Sequence, residues 1–275
     1  MGFGGESLFL IPVSTRKQSL THEDFLRMKE QAAGFSRAYT EDLISGLLAG
    51  IDAFRKDTGR RSLAYGWSGG KDSLALQYIY ICEQAGINHC VLGRTDLEYP
   101  AFLHWMEQHR PAGLSVINTG QDLDWLAAHP HMLFPQDSNT AAKWFSGVQH
   151  KAQRIYYTTA GLDALLLGRR LQDGNYVGTG GRNWYAKDGV VRFSPIHRTT
   201  HQDIFAIIAY AGLSEPPIYS WPRGYRCGTH SWAARQWCKS EQHGWGEIYQ
   251  IDPSIVHQAA AKLPGAQTFL QNLSS

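Results

Sequence analysis

Residues 61–73 read R-S-L-A-Y-G-W-S-G-G-K-D-S, an apolar run that gives way at once to small and charged residues. The run at 61–67 predicts a buried strand, and D-S-L-A-L-Q-Y-I-Y-I-C-E-Q-A at 72–85 predicts a helix. The glycines between them allow a sharp turn whose backbone N–H groups can approach an anion. The positive end of the helix dipole lies at the same place. We name residues 68–73 the glycine loop and predict that it binds phosphate.

The side chains of the glycine loop fit the same ligand. Lys71 adds a full positive charge, and the hydroxyls of Ser68 and Ser73 can donate hydrogen bonds. Asp72 suits either the first turn of the helix or a contact to Mg²⁺ that bridges phosphates. The loop differs from the common P-loop G-x-x-x-x-G-K-[ST], because an aspartate follows the lysine and Gly66 is one position too close.

Strands and helices alternate along the chain outside this stretch. Strand-like runs occur at 61–67, 88–94, 114–118, 163–168 and 190–193, with helical patterns at 72–85, 100–109, 139–160 and 201–212. This order predicts an α/β fold with a doubly wound, mainly parallel five-stranded sheet and helical additions at both ends. A hairpin is also predicted to turn at Asp188-Gly189. Such sheets bind ligands beyond the carboxyl ends of their strands, which is where the glycine loop falls.

Three segments are predicted from this pattern. Residues 1–59 form a helical extension, residues 60–212 the nucleotide-binding α/β domain, and residues 213–275 a segment of helices and loops. Thr21 and Thr40 are the predicted N-caps of two helices in the extension.

Composition narrows the class of protein. The chain has 275 residues, of which 43% are hydrophobic, and this is enough for a substantial core. The net charge of +2 predicts no general affinity for polyanions. The first residues, M-G-F-G-G-E-S, do not resemble a signal peptide, and no apolar run approaches the roughly 20 residues of a membrane span. We therefore expect a cytoplasmic protein without membrane contact, whose four cysteines form no disulfide framework.

The motif S-G-G-K-D-S after a strand resembles the PP-loop of the ATP pyrophosphatase superfamily. The resemblance implies an adenine-nucleotide alpha-hydrolase-like fold. It also implies that the loop grips the terminal pyrophosphate of ATP while the nucleotide is opened at the α-phosphorus. ATP and Mg²⁺ are the ligands that follow from this resemblance.

Further motifs resemble the phosphoadenosine-phosphosulfate (PAPS) reductase branch, which belongs to sulfur metabolism. Gly168-Arg169-Arg170-Leu171-Gln172-Asp173 is similar to its G-x-R-x-x-[DE], and T-D-L-E-Y-P at 95–100 to its acidic turn. P-I-H-R-T-T-H-Q-D-I-F at 195–205 and Tyr219…Arg226-Cys227-Gly228 are similar to later parts of the family pattern. The resemblance covers roughly residues 60–230. It implies that Gly168 and Arg170 bind the nucleotide and that Arg170 faces the α-phosphate.

The intact lysine of the loop departs from the reductases, whose substrate lacks a triphosphate tail. It favours relatives that use ATP, namely the ATP sulfurylase small subunit, flavin adenylyltransferases (FAD synthetases) and DNA phosphorothioation enzymes. We therefore predict an adenylyltransferase that joins AMP to an acidic substrate and releases pyrophosphate. Lys71, Asp72 and Arg170 are its predicted catalytic residues. Its nucleotide-binding residues are Ser68, Gly69, Gly70, Lys71, Asp72, Ser73, Gly168 and Arg170, and its substrate-binding candidates are Asp96, Asp173, Arg182, Arg223, Arg226 and Cys227.

Three alternatives stay open at this point. Cys227-Gly228-Thr229-His230 keeps the C-G-x-H of the reductase nucleophile, so a thiol-dependent reductase or sulfur-transfer enzyme is the second hypothesis. The third is a subunit that binds ATP without turning it over, as a nucleotide sensor or beside nucleic acid. Separately, Cys227, His230, Cys238 and His243 have the ligand types of a zinc site, although not its paired spacing. A partner subunit or an oligomer is compatible with each hypothesis.

Overall fold

The computed structural model describes residues 20–82 and 85–275. The M-G-F-G-G-E-S stretch, on which the prediction about a signal peptide rests, lies outside the described residues. The described ranges contain six strands: β1 Leu63–Gly66, β2 Cys90–Arg94, β3 Leu114–Asn118, β4 Ala164–Leu166, β5 Trp184–Lys187 and β6 Val190–Phe193. The helices are α1 His22–Ala33, α2 Arg37–Thr58, α3 Lys71–Ile81, α4 Pro100–His109, α5 Leu123–Ala128, α6 Ser138–Phe145, α7 Lys151–Thr159, α8 His201–Tyr210, α9 Gly224–Cys227, α10 Glu241–Ile251, α11 Pro253–Ala259 and α12 Pro264–Leu273.

The strands form one sheet in the order β3-β2-β1-β4-β6-β5. All neighbours pair in parallel except β5 and β6, which pair antiparallel. The predicted α/β class with a mainly parallel sheet is confirmed, but the sheet has six strands and not five. The sixth comes from the predicted hairpin, since Asp188 and Gly189 have φ of 53° and 73° and make the tight turn that adds β5 as an edge strand.

Helices cover both faces of the sheet because its strands are apolar on both sides. Leu63 and Tyr65 belong to the larger core, whereas Ala64 between them belongs to a smaller core on the opposite face. Ala152 of α7 packs into that smaller core. Successive strand residues point to opposite faces, so this division confirms the doubly wound arrangement.

The order of the strands places a crevice between β1 and β4. The chain runs outward from β1 through β2 to β3, then returns to place β4 on the other side of β1. Loops that leave β1 and β4 must therefore diverge to opposite sides, which opens a ligand site at the carboxyl ends of these strands. The glycine loop follows β1, and Gly168 to Arg170 follow β4. Both predicted nucleotide-binding motifs thus lie at this switch point.

The N-terminal helices pack onto the sheet domain. Thr21 caps α1 in a capping box with Asp24, as predicted. The second prediction is wrong, because Ser36 caps α2 and Thr40 is buried inside the helix. The ring of Phe54 in α2 stacks on Phe193 of β6 with centroids 4.1 Å apart. The larger core contains residues from all three predicted segments, and the domain boundaries stay a prediction.

The helical region predicted at 139–160 is interrupted. Five residues, Ser146–His150, form a π-helical segment between α6 and α7. Such segments shift the faces of a helix and occur often at functional sites. Here the segment ends in Gln149 and His150, whose surroundings are described with the site. Within the described ranges, every helix is too short or too polar to cross a lipid bilayer, while the cytoplasmic location stays a prediction.

Candidate active site

The glycine loop turns as its sequence predicts. Gly69 has φ +69°, a left-handed conformation that glycine adopts at little cost. A Cβ at this position would lie 2.8 Å from Cζ3 of Trp105 and 3.1 Å from Cε2 of Phe102. Backbone conformation and packing against α4 therefore both require glycine here. The loop is clamped between the end of β1 and the aromatic face of α4.

The serines of the loop hold its backbone in place. The amide of Ser68 donates to the Ser73 hydroxyl at 3.1 Å, and that hydroxyl donates to the carbonyl of Gly70 at 2.8 Å. The amide of Gly70 in turn donates to the Ser68 hydroxyl at 3.3 Å. Helix α3 begins at Lys71, directly after Gly70, without a side-chain cap. The first turn of α3 thus faces the loop with its positive dipole end.

Three hydroxyl groups surround the space above Gly70. The position of a Cβ on this glycine lies 3.3 Å from Ser68 Oγ and Thr229 Oγ1 and 3.4 Å from Tyr219 Oη. Tyr219 also accepts a hydrogen bond of 2.7 Å from the amide of Lys71. We name these three hydroxyls the hydroxyl cradle. Hydroxyl donors at the start of an 11-residue helix make a site that fits a phosphate group.

Lys71 and Asp72 are paired at the start of α3. The Lys71 ammonium lies 2.8 Å from both carboxylate oxygens of Asp72, and its side chain is almost fully buried. Nε of Arg170 approaches Asp72 from the other side at 2.8 Å. One carboxylate therefore joins the cation of the glycine loop to the cation after β4. The carboxylate of Asp72 therefore has two cationic neighbours.

Arg170 is wholly buried behind the loop. Its guanidinium also binds Asp173 Oδ2 at 2.9 Å, the ring Nδ1 of His201 at 2.8 Å and the carbonyl of Thr199 at 3.1 Å. Burial lowers the pKa of Arg170, and the two carboxylates more than offset this, so the pKa lies above its ordinary value. These contacts describe an internal counter-ion for two carboxylates. The predicted role at the α-phosphate stays a prediction.

Gly168 sets the distance between β4 and α3. A Cβ on Gly168 would lie 2.9 Å from the Cβ of Asp72. A larger residue would push the two motifs apart and break the bond between Asp72 and Arg170. This close approach is the physical reason for a glycine at the first position of the G-x-R-x-x-[DE] pattern.

A cavity of about 400 Å³ opens beside the hydroxyl cradle. Its volume falls within the range of small-molecule sites. Among the predicted site residues, its wall contains Ser68, Gly70, Asp72, Ser73, Gly168, Asp173, Arg226 and Cys227. Gly69, Lys71 and Arg170 do not line it. The structure therefore gathers most of the predicted residues around one cavity at the switch point.

Three of the predicted substrate-binding residues lie away from this cavity. Asp96 is exposed and accepts a hydrogen bond of 2.7 Å from Asn118. The guanidinium of Arg182 lies over the ring of Trp184, 5.3 Å from its centroid. Arg223 is bound by Glu247 at 2.6 Å. Their assignment as substrate-binding residues stays a prediction.

The cavity wall includes residues that no motif marked. Gln149, from the π-helical segment, and Gln153 of α7 line it, and so does Asn175. The Oε1 atom of Gln153 is buried and has no hydrogen-bond partner in the described part of the chain. A buried amide oxygen without a partner is costly unless a ligand or water satisfies it. Gln149 and Gln153 are four residues apart, a spacing that places two side chains on the same face of a helix.

Arg169 and Trp237 also line the cavity. Trp237 is half exposed and has φ +59°, which is rare for a bulky residue. Such strain is found at functional sites more than elsewhere. Trp237 gives the cavity an aromatic face on which a planar ring can stack.

The predicted zinc ligands do not come together among the described residues. Cys238 and His243 lie with Glu247, and the candidate ligand atoms of these three are within 4.8 Å of one another. Cys227 and His230 instead line the cavity. Glu247 already accepts hydrogen bonds of 2.6 Å from both Arg223 and Arg235. This cluster is therefore occupied by a buried ion pair with two guanidinium groups.

Comparison with known proteins gives structural neighbours. No family model and no curated protein matches the sequence. A PAPS reductase from Candida auris, in a phosphate complex, has a TM-score of 0.45 and 13% identity over 74% of this chain and 92% of that chain. An FMN adenylyltransferase from Candida glabrata, in complex with FAD and inorganic pyrophosphate, has a TM-score of 0.44 and 14% identity over 73% and 68%. A U34-tRNA thiolase from Methanococcus maripaludis has a TM-score of 0.43 and 15% identity over 86% and 80%.

By their names these three neighbours are a reductase, an adenylyltransferase and a thiolase. Each of the three has a TM-score below 0.5. Similarity this weak assigns no function to this chain.

Proposed function

We propose that the protein is an enzyme that binds MgATP in this cavity and cleaves it at the α-phosphorus. AMP is transferred to an acidic substrate and pyrophosphate is released. The observation that carries the proposal is the hydroxyl cradle above Gly70, at the start of α3 and at the switch point of a parallel sheet. A site with these donors and this position in the fold suits the phosphate tail of a nucleotide.

The residues of the site supply binding and positioning. The hydroxyls of Ser68, Tyr219 and Thr229 would donate to phosphate oxygens, and the dipole of α3 favours their charge. Lys71 contributes a buried ammonium, which Asp72 holds in place. A buried ion pair keeps its geometry when a ligand arrives, so little reorganisation is needed.

The reaction itself is a displacement at phosphorus. An oxygen of the acidic substrate attacks the α-phosphorus, the bond to the bridging oxygen breaks, and the electron pair leaves with pyrophosphate. Alignment of the two reactants and neutralisation of charge provide most of the rate enhancement in such steps. Asp72 has the oxygen ligands that Mg²⁺ prefers, and Mg²⁺ would neutralise charge on the phosphate tail. Arg170 would keep Asp72 in position from behind.

The test uses ATP labelled at the α-phosphate and separation of the products. We expect labelled AMP or an AMP adduct together with pyrophosphate, and a large loss of both in Lys71→Ala. Thr229→Val, which removes one hydroxyl of the cradle at nearly constant shape, should weaken MgATP binding by about tenfold. Thr158→Val, on the exposed face of α7, is the matched control. Formation of ADP and phosphate would refute the α-phosphorus reaction.

A second function is favoured by the position of Cys227. Its half-buried thiol lines the same cavity as Ser68 and Ser73, so it could act on a sulfur-bearing nucleotide or carry sulfur. This hypothesis requires thiol-dependent turnover that is lost in Cys227→Ser. Full activity of Cys227→Ser would eliminate it. MgATP binding without turnover by the isolated chain would favour a nucleotide sensor or a missing partner subunit, which a pull-down would then distinguish.

A further inference from the structure

Arg169 is a half-buried cation that lines the cavity without a carboxylate partner in the described part of the chain. Its guanidinium donates to the Tyr185 hydroxyl at 2.6 Å, to Nε2 of His150 at 2.9 Å and to the carbonyl of Tyr176 at 3.4 Å. It also lies over the rings of Phe145 and Tyr185, 5.7 and 5.9 Å from their centroids. All these partners are neutral groups that fix the direction of the side chain.

The protonation of His150 supports this reading. Burial, together with the charges of Arg169 and Arg192, lowers the pKa of His150 to about 4. The imidazole is therefore neutral near pH 7 and accepts the hydrogen bond from Arg169. Burial also lowers the pKa of Arg169 itself. A desolvated guanidinium without a counter-ion is an unfavourable arrangement that a bound anion would relieve.

The neighbouring arginine shows the contrast. Arg170 is neutralised by Asp72 and Asp173 and does not line the cavity, whereas Arg169 lines it and has no carboxylate partner among the described residues. The contacts of Arg169 come from α6, the π-helical segment and the hairpin. They share no residue with the hydroxyl cradle. The cavity therefore has two separate places suited to negative charge.

We propose that Arg169 forms a second anion subsite, which binds an oxyanion of the acceptor substrate and not a phosphate of ATP. The planar fork of the guanidinium suits a carboxylate, phosphate or sulfonate group. This inference rests on the proposed function in one respect only, namely that the hydroxyl cradle binds the nucleotide. The acceptor substrate would then be an anion that binds beside the rings of Phe145 and Tyr185.

Equilibrium dialysis with labelled sulfate tests the subsite directly. The intact chain is first saturated with the α,β-methylene analogue of ATP, which fills the nucleotide site without being cleaved at the α-phosphorus. We expect saturable sulfate binding that persists in its presence. Arg169→Met should weaken that binding by about tenfold to a hundredfold. Arg154→Met, which changes an exposed arginine of α7 outside the cavity, should bind sulfate as the wild type does.

The remaining measurements separate the two proposals. Sulfate binding that the analogue abolishes, or that Arg169→Met leaves unchanged, would overturn the second subsite. If the analogue itself does not bind, the proposed function fails, while sulfate binding that depends on Arg169 would still establish an anion site. Arg169→Lys keeps the charge but loses the bidentate fork, and it should show partial binding. A single cooperative urea unfolding transition for both Arg169 variants would exclude loss of the fold as the cause.

Discussion

Replacing Arg170 by methionine should destabilise the protein by about 3–5 kcal/mol, which is the usual cost of removing one member of a buried ion pair. Asp173, whose side chain is only 11% exposed, would then lose its guanidinium partner, and Asp72, 23% exposed, would keep only Lys71. Oε1 of Gln172 and the carbonyl of Thr199 would each lose one donor, at 3.1 Å, although Gln172 keeps the amide of His201. Since a domain is stable by about 5–15 kcal/mol, this is a large share of the total.

Urea unfolding followed by tryptophan fluorescence measures this change. Arg169→Met is the matched comparison, because it removes the adjacent guanidinium without leaving a carboxylate unpaired in the described residues. It should cost about 1 kcal/mol, the range of lost cation–π contacts. Adding Asp173→Asn to Arg170→Met should restore part of the stability, because one uncompensated charge is removed.

Equal midpoints for Arg170→Met and the wild type would contradict the role of Arg170 as an internal counter-ion. They would mean that water or another group neutralises the two carboxylates, and that Arg170 is free to act on a ligand. A large loss of stability for Arg169→Met would contradict its assignment to ligand binding.

Three further predictions concern the loop and its surroundings. Gly69→Ala should lower the free energy of unfolding by about 1–2 kcal/mol because of its φ of +69°, and by more because an aromatic atom lies 2.8 Å from the new Cβ. Gly161→Ala, with φ +59° in open space, should show only the loss due to φ. Urea unfolding distinguishes the two variants, and equal losses would contradict the packing argument. Tyr219→Phe removes the acceptor of the Lys71 amide, so it should lower the free energy of unfolding by about 1–3 kcal/mol. It should also weaken MgATP binding in calorimetry, and an unchanged affinity would exclude the Tyr219 hydroxyl from the phosphate site. The free energy of unfolding should fall as pH falls from 6.5 toward 4, because His150 takes up a proton in the unfolded chain but stays neutral in the folded protein. His150→Gln should flatten this pH dependence in unfolding curves measured across that range. The same pH dependence in the variant and the wild type would contradict the lowered pKa.

The local sequence was sufficient to predict the position of most helices and strands. The strand at 114–118 and the helix at 100–109 have their predicted bounds, and the hairpin turns at Asp188-Gly189. Short-range rules govern these features, namely alternation of apolar residues, a proline at the start of a helix and residues that accept positive φ. The predicted cap at Thr40 is wrong because Ser36 lies earlier and makes the same kind of hydrogen bond. The π-helical segment carried no signal in its sequence.

The sequence alone determined the α/β class and the glycine loop, because a turn of glycines between a strand and a helix is a local device. Only the tertiary structure decided which arginine after β4 lines the cavity. Arg169 and Arg170 are adjacent and chemically identical, but successive residues in extended backbone point to opposite sides. Arg170 points to the side where it pairs with Asp72 and Asp173, while Arg169 contacts neutral groups and lines the cavity. Charge balance among residues distant in sequence thus makes one arginine an internal counter-ion and leaves the other for a ligand.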